Sequence, residues 1–106
     1  METRALFNKA EATLRAVTKE AEFILLALRG AEKEAETEHL RANEARDWED
    51  KNTVLAATHA YERYSAISLA VRDVSGFLVG AQSALDALDM KTCEWAVYAA
   101  RNDIAA

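Results

Sequence analysis

The sequence predicts an all-α protein, and its composition is the first reason. The 106 residues include 23 alanines, only three glycines and no proline. Alanine has the highest helix propensity, and a chain without proline and with few glycines has little turn chemistry for hairpins of strands. A chain of this length buries one modest core, so we expect a single domain over residues 1–106.

A heptad pattern predicts a first helix over residues 3–48. The pattern passes Gly30 without a change of phase, so we expect this glycine to lie inside the helix at a cost of about 1 kcal/mol. Alternating spacings of three and four are typical of a helix that packs against another helix. The apolar or small residues of this seam are Phe7, Ala10, Leu14, Val17, Ala21, Ile24, Leu28, Ala31, Ala35, Ala42 and Ala45.

A turn is predicted at residues 48–53, "WEDKNT", where polar side chains compete with the helix for backbone hydrogen bonds. Asn52 or Thr53 can cap the helix that follows. A second heptad seam then predicts a helix over residues 53–87. This seam consists of Ala57, Ala60, Tyr64, Ile67, Val71, Val74, Leu78, Ala81, Leu85 and Leu88.

The apolar pattern changes phase after Leu88 and restarts at Met90, which predicts a short third helix at the C-terminus. Asp86 or Asp89 can serve as its N-cap. The apolar residues of the restarted pattern are Met90, Cys93, Val97, Ala100 and Ile104.

These elements predict a long antiparallel helical hairpin with the third helix packed on its base. When the chain folds back at the turn, a residue of the first long helix lies beside the residue of the second whose number, added to its own, gives about 102. The base contains the apolar segments "FILLAL", residues 23–28, and "FLV", residues 77–79. The alternative is a compact four-helix bundle with breaks near Gly30 and Gly76, which gives helices of more usual length. The unbroken phase through the glycines favours the hairpin.

The acidic charge of the chain is concentrated in one segment. The net charge is −5, and residues 31–50 alone carry eight acidic and three basic side chains. Binding to nucleic acid through phosphate contacts needs clustered lysine and arginine, whereas these residues are scattered along the chain. We therefore expect no direct contact with nucleic acid and a protein partner with a basic surface.

The segment also carries aromatic side chains that a seam of alanines cannot fully bury. Tryptophan, tyrosine and arginine are enriched among the residues that dominate binding energy at protein interfaces. A solvated helical face stabilised by local acid–base pairs is the alternative explanation of the charge. The residues predicted to bind a partner are Glu34, Glu38, Arg41, Glu44, Asp47, Trp48, Glu49 and Tyr61.

Both histidines lie three residues from a glutamate, which is a ligand spacing of di-metal helical bundles. Glu36 and His39 form one pair, and His59 and Glu62 form the other. The hairpin brings the two pairs close together, so a carboxylate–histidine metal site is an alternative hypothesis. Solvated histidines on polar faces are the simpler interpretation, because a two-helix site lacks the further glutamates that such bundles supply.

No other set of residues predicts catalysis, so we expect a protein that is not an enzyme and needs no cofactor. Cys93 lies on the predicted third seam and is interpreted as a buried structural residue. A single cysteine forms no internal disulfide, which indicates a reducing, cytoplasmic location. The longest apolar run, residues 23–28, is far shorter than the roughly 20 residues of a membrane-spanning helix, so no membrane contact is expected.

The combined pattern predicts a small, acidic interaction module. Its size and composition are typical of phage or mobile-element proteins that inhibit a host nucleic-acid-handling complex, including anti-CRISPR-like inhibitors. A homodimer through the hydrophobic base is a further expectation, because a helix that is apolar on several sides must be covered. A small-ligand or nucleotide-binding oligomer, with its pocket at that base, is the remaining alternative.

Overall fold

The computed structural model describes residues Glu2–Ile104, and it confirms the all-α prediction. Helix α1 spans Thr3–Glu44 and helix α2 spans Lys51–Arg101. No strand occurs within this range. Residues Glu2–Ile104 therefore contain two long helices with one short connection.

The connection lies a few residues earlier than the sequence predicts. Helix α1 ends at Glu44 rather than near residue 48, and α2 begins at Lys51. The cap of α2 is Asp50, whose carboxylate accepts a hydrogen bond from the backbone N–H of Asn52 at 3.0 Å. The aspartate occupies the position immediately before the helix, so it satisfies a backbone donor that has no partner within the helix.

The predicted third helix is wrong, because α2 continues without a break through Leu88 and Met90. Asp86 is not an N-cap, since its carboxylate accepts a hydrogen bond from the side chain of Gln82 inside the helix. The breaks required by the four-helix alternative are also absent. Helix α1 runs through Gly30, and α2 runs through Gly76 and Gly80.

Thr92 explains why the sequence suggests a change of phase. A threonine at this point looks polar, so the apolar pattern seems to stop at Leu88. In the structure, the Thr92 hydroxyl donates to the Leu88 carbonyl at 2.9 Å and lies half-buried. This internal hydrogen bond removes the cost of burying the hydroxyl. The inner seam therefore continues from Leu88 to Thr92, Trp95 and Ala99.

The described chain divides into two compact units. Unit 1 comprises Met1–Glu22 and Phe77–Ala106. Its helical segments run antiparallel: Phe7 and Trp95 line one groove, and Thr18 and Leu85 line another. These pairs agree with the predicted sum of about 102. The buried side chains of unit 1 are Ala21, Ala81, Leu85 and Ala99.

Unit 2 comprises Phe23–Gly76 and includes the turn. Glu38 forms an ion pair with Arg63, and the ring of His39 stacks on that of Tyr64 at 5.7 Å between centroids. These contacts follow the same predicted register, so the register is confirmed within unit 2 as well. The buried side chains of this unit are Leu25, Ala35 and Ala57.

The inner seam of α1 is only half as predicted. The heptad positions Phe7, Leu14, Ala21, Leu28, Ala35 and Ala42 are buried or half-buried, as expected. In the second series of predicted seam positions, which contains Val17 and Ile24, the next residue along the chain is less exposed than the predicted one. Leu25 is 8% exposed whereas Ile24 is 50% exposed, and Thr18 is half-buried whereas Val17 is exposed.

Neither unit buries its large apolar side chains fully, because each has only two helical segments to enclose a core. No side chain in the described chain combines large volume with complete burial. Phe23 and Phe77, which belong to the apolar segments of the predicted base, are exposed. A substantial apolar surface therefore remains on the outer faces of the helices.

Candidate functional site

The turn of unit 2 presents Trp48 to solvent. Its side chain is 73% exposed, although tryptophan is usually among the more buried residues. The guanidinium carbon of Arg46 lies 4.2 Å from the centre of the indole ring, in a cation–π contact. This contact holds the ring against a neighbouring side chain but leaves most of the indole open to a partner.

Hydrogen bonds of Asp47 and Thr53 fix the backbone on both sides of Trp48. The Asp47 N–H donates to the Thr53 hydroxyl oxygen at 2.9 Å, and that hydroxyl lies within hydrogen-bonding distance of the Asp47 and Asp50 carbonyls. The Asp47 carboxylate accepts from the N–H of Glu49 at 3.0 Å. Two residues thus connect the start of the turn to the start of α2, so the position of Trp48 is defined by the surrounding chain.

All the residues predicted to bind a partner are exposed and belong to unit 2. Glu34, Glu38 and Arg41 recur at spacings of four and three, which places them on one face of α1. Glu38 is engaged by Arg63 of α2. The remaining acidic members, Glu44, Asp47 and Glu49, surround the turn. We call residues 44–50 the acidic turn; they carry four acidic side chains and one arginine.

Tyr61 lies beside His39, with ring centroids 5.4 Å apart and a tilted geometry. The imidazole of His39 also stacks on Tyr64, with 9° between the ring planes. Tyr61 remains more than half exposed, whereas Tyr64 and His39 are half-buried. The two tyrosines thus pack on one histidine, and only Tyr61 offers a large exposed ring surface.

The structure does not bring the predicted metal ligands together. Among Glu2–Ile104, no group of three or more His, Cys, Asp or Glu side chains is arranged to hold a metal ion. His59 is exposed, and the ring of His39 packs on those of Tyr61 and Tyr64. The Nδ1 atom of His39 is buried and has no hydrogen-bond partner. Glu36, His39, His59 and Glu62 therefore do not form a ligand set in this structure.

Cys93 is exposed, which corrects the expectation of a buried structural cysteine. The exposure of Cys93 follows from the continuity of α2. The inner seam passes through Thr92, so the next residue lies on another face of the helix. Cys93 instead lines an open groove with Met90 and Val97 on the surface of unit 1.

Arg46 and Arg63 are functional candidates that the sequence alone does not indicate. Arg46 lies two residues from Trp48, and their contact depends on the conformation of the turn after α1 has ended. Arg63 reaches Glu38 only because the helical segments of unit 2 pack together. The predicted register, with numbers that sum to about 102, is the one signal that could have paired Glu38 with Arg63.

Comparison with protein-family models, curated proteins and solved structures finds no significant match to this chain. Neither described helix combines the length and the apolar character that a membrane crossing requires.

Proposed function

We propose that the protein is a non-enzymatic interaction module that binds a basic surface of a protein partner through the acidic turn and the neighbouring face of α1. The exposure of Trp48 carries this proposal. A ring that remains 73% exposed although the turn around it is fixed offers apolar area to a partner without a large loss of conformational freedom on binding.

The charges around the ring define the kind of partner. Glu44, Asp47 and Glu49 are exposed beside Trp48, and Glu34 extends the acidic surface along α1. Complementary charge accelerates association and selects against acidic partners more than it adds affinity. The indole supplies the apolar contact, since tryptophan is enriched among residues whose truncation costs 2 kcal/mol or more. A basic protein surface with an apolar depression fits both features.

The narrower proposal is that this partner is a host nucleic-acid-handling complex and that the protein is an inhibitor from a phage or mobile element, like anti-CRISPR proteins. The inhibitor proposal is supported by the net charge of −5, which is concentrated beside the turn. Carboxylates at such a site can occupy a basic groove that otherwise binds phosphates. Under this proposal the protein acts in the reducing cytoplasm, which agrees with its single free cysteine.

The test is quantitative affinity capture from host lysate with the wild-type chain and two matched triple variants. One variant changes Glu34, Glu44 and Glu49 to lysine, and none of these side chains forms an ion pair among the described residues. The control makes the same change at Glu2, Glu20 and Asp89, which are exposed residues of unit 1. We expect the first variant to lose the partner and the control to keep it.

A single substitution separates the indole from the charges. We expect Trp48→Ala to weaken binding of the captured partner by about 30-fold, the equivalent of 2 kcal/mol. Leu69→Ala, which also removes an exposed apolar side chain of unit 2, should have no such effect. Equal binding by wild type, Trp48→Ala and the lysine variant would refute the acidic-turn proposal. Retention of the partner in excess nucleic acid would refute only the inhibitor version.

A further inference from the structure

The last turns of α2 are apolar on two faces. The inner face carries Leu85, Leu88, Trp95 and Ala99, which are buried or half-buried in unit 1. The outer face carries a second stripe of apolar side chains, all of them exposed, at spacings of three and four. We call Met90, Cys93, Val97 and Ala100 the outer stripe. A helix that is apolar on opposite faces is normally covered on both.

From this stripe we infer that two copies of the chain associate through the outer faces of their α2 helices, in an antiparallel pair related by a two-fold axis. Alternating spacings of three and four are the pattern by which one helix packs along another. Within the stripe, large side chains, Met90 and Val97, alternate with small ones, Cys93 and Ala100. The stripe therefore provides both projections and depressions and can pack against itself.

Part of the exposed area of the chain lies on the outer stripe. The chain exposes 7882 Å², whereas a compact monomer of 11.7 kDa exposes about 5,900 Å². The difference of about 2,000 Å² includes exposed apolar side chains of both units. The outer stripe contributes to this excess directly, since Met90 is 62% and Val97 is 52% exposed.

Charge selects one register of the antiparallel pair. In the register centred on the stripe, Met90 packs against Ala100 of the second copy and Cys93 packs against Val97 of the second copy. This alignment also places Glu94 beside Arg101 of the second copy, at flanking positions that face each other in antiparallel coiled coils. The two-fold axis produces the same pair twice. Glu94 and Arg101 line the same groove as Met90, Cys93 and Val97, as the proposed pairs require.

The neighbouring registers are disfavoured by the same two residues. A shift of one heptad in one direction places Glu94 against Glu94 of the second copy. A shift in the other direction places Arg101 against Arg101. Like charges at facing positions are destabilising, so only the central register pairs opposite charges. Arg101 forms no ion pair with any residue of Glu2–Ile104, and it is thus available for this contact. Glu94 pairs with Lys91 of its own helix at 3.0 Å, so the proposed dimer requires Glu94 to share its carboxylate between Lys91 and Arg101 of the second copy or to exchange one for the other.

Sedimentation equilibrium of the full chain between about 1 and 100 µM tests the interface, because that range spans the dissociation constants of typical weak and moderate dimers. We expect the wild type to dimerise and Val97→Glu to raise the dissociation constant at least about 100-fold, since it places two buried charges at the centre of the interface. Leu69→Glu makes the same chemical change at an exposed position of unit 2 and should dimerise like the wild type. A monomeric wild type at 100 µM, or unimpaired dimerisation of Val97→Glu, would overturn the proposal.

Charge exchange tests the register and does not depend on whether Val97→Glu folds. Glu94→Arg and Arg101→Glu should each weaken dimerisation about tenfold, because each replaces two exposed opposite-charge pairs with two like-charge pairs. The double variant Glu94→Arg/Arg101→Glu should recover the wild-type dissociation constant to within about threefold. Within one helix these residues are about 10 Å apart, so the recovery cannot arise inside one chain. Additive losses in the double variant would contradict the proposed pairing.

Discussion

Units 1 and 2 have the same kind of inner seam but different outer surfaces. In each unit the buried side chains are alanines with one leucine, Leu85 in unit 1 and Leu25 in unit 2. Outside this seam, the end of α2 in unit 1 carries the apolar outer stripe, whereas unit 2 carries the acidic turn and Trp48. The contrast shows that the inner seam specifies the pairing of helical segments and the outer residues specify what each surface can bind.

The buried leucines provide the largest expected effect. Leu25→Ala and Leu85→Ala should each lower the free energy of unfolding by about 2–3 kcal/mol, because each removes the one large side chain among the buried residues of its unit. Leu26→Ala is the control for Leu25, since Leu26 is the adjacent residue and is 71% exposed. It should change stability by less than about 0.5 kcal/mol. Urea unfolding followed by circular dichroism measures these values. A similar loss for Leu26 and Leu25 would contradict the division into inner and outer faces.

The turn of unit 2 should show an intermediate effect. Thr53→Ala removes the hydroxyl that accepts from the Asp47 N–H and donates towards the turn carbonyls, so we expect a loss of about 1–2 kcal/mol. Thr58→Ala is the matched control, because its hydroxyl only bonds the Val54 carbonyl within α2. It should be neutral or stabilising by up to about 0.5 kcal/mol. Urea unfolding of the two variants makes the comparison, and equal stabilities would show that Thr53 does not hold the turn.

The helical glycines should give the smallest effect, and in the stabilising direction. An added Cβ at Gly30 in unit 2 or at Gly80 in unit 1 meets no atom within 4 Å. Because both residues lie inside continuous helices, Gly30→Ala and Gly80→Ala should each raise the free energy of unfolding by about 0.5–1 kcal/mol. Thermal unfolding should show an increase of a few degrees for each. A decrease in either unit would indicate that the helix at that glycine is not regular.

Much of the helical pairing is predictable from the sequence. One series of predicted seam positions of α1, every seventh residue from Phe7 to Ala42, is assigned to the inner seam correctly, whereas the series that contains Val17 and Ile24 is not. The register that pairs Glu38 with Arg63 agrees with the contacts of unit 2. Spacing determines these features, because residues separated by whole heptads share one face of a helix. The prediction of a single domain over residues 1–106 stays a prediction.

Spacing does not predict which of two adjacent apolar residues is buried. Ile24 and Leu25 are both large and apolar, and both maintain a spacing of three or four with their neighbours. In the structure Leu25 is 8% exposed and Ile24 is 50% exposed, a difference that spacing along the chain does not specify. Trp48 is a similar case, because its exposure was expected but its contact with Arg46 depends on where α1 ends.

The helical character of the chain, a turn near the end of its acidic segment and the antiparallel pairing of its segments follow from the sequence alone, because propensity and heptad spacing act locally along the chain. Which of the two apolar stripes near the end of α2 lies inside depends on tertiary packing. The stripe through Thr92 and the stripe through Cys93 have the same heptad spacing. Packing against the rest of unit 1 buries the first, where the Thr92 hydroxyl is satisfied by its own helix, and leaves the second exposed.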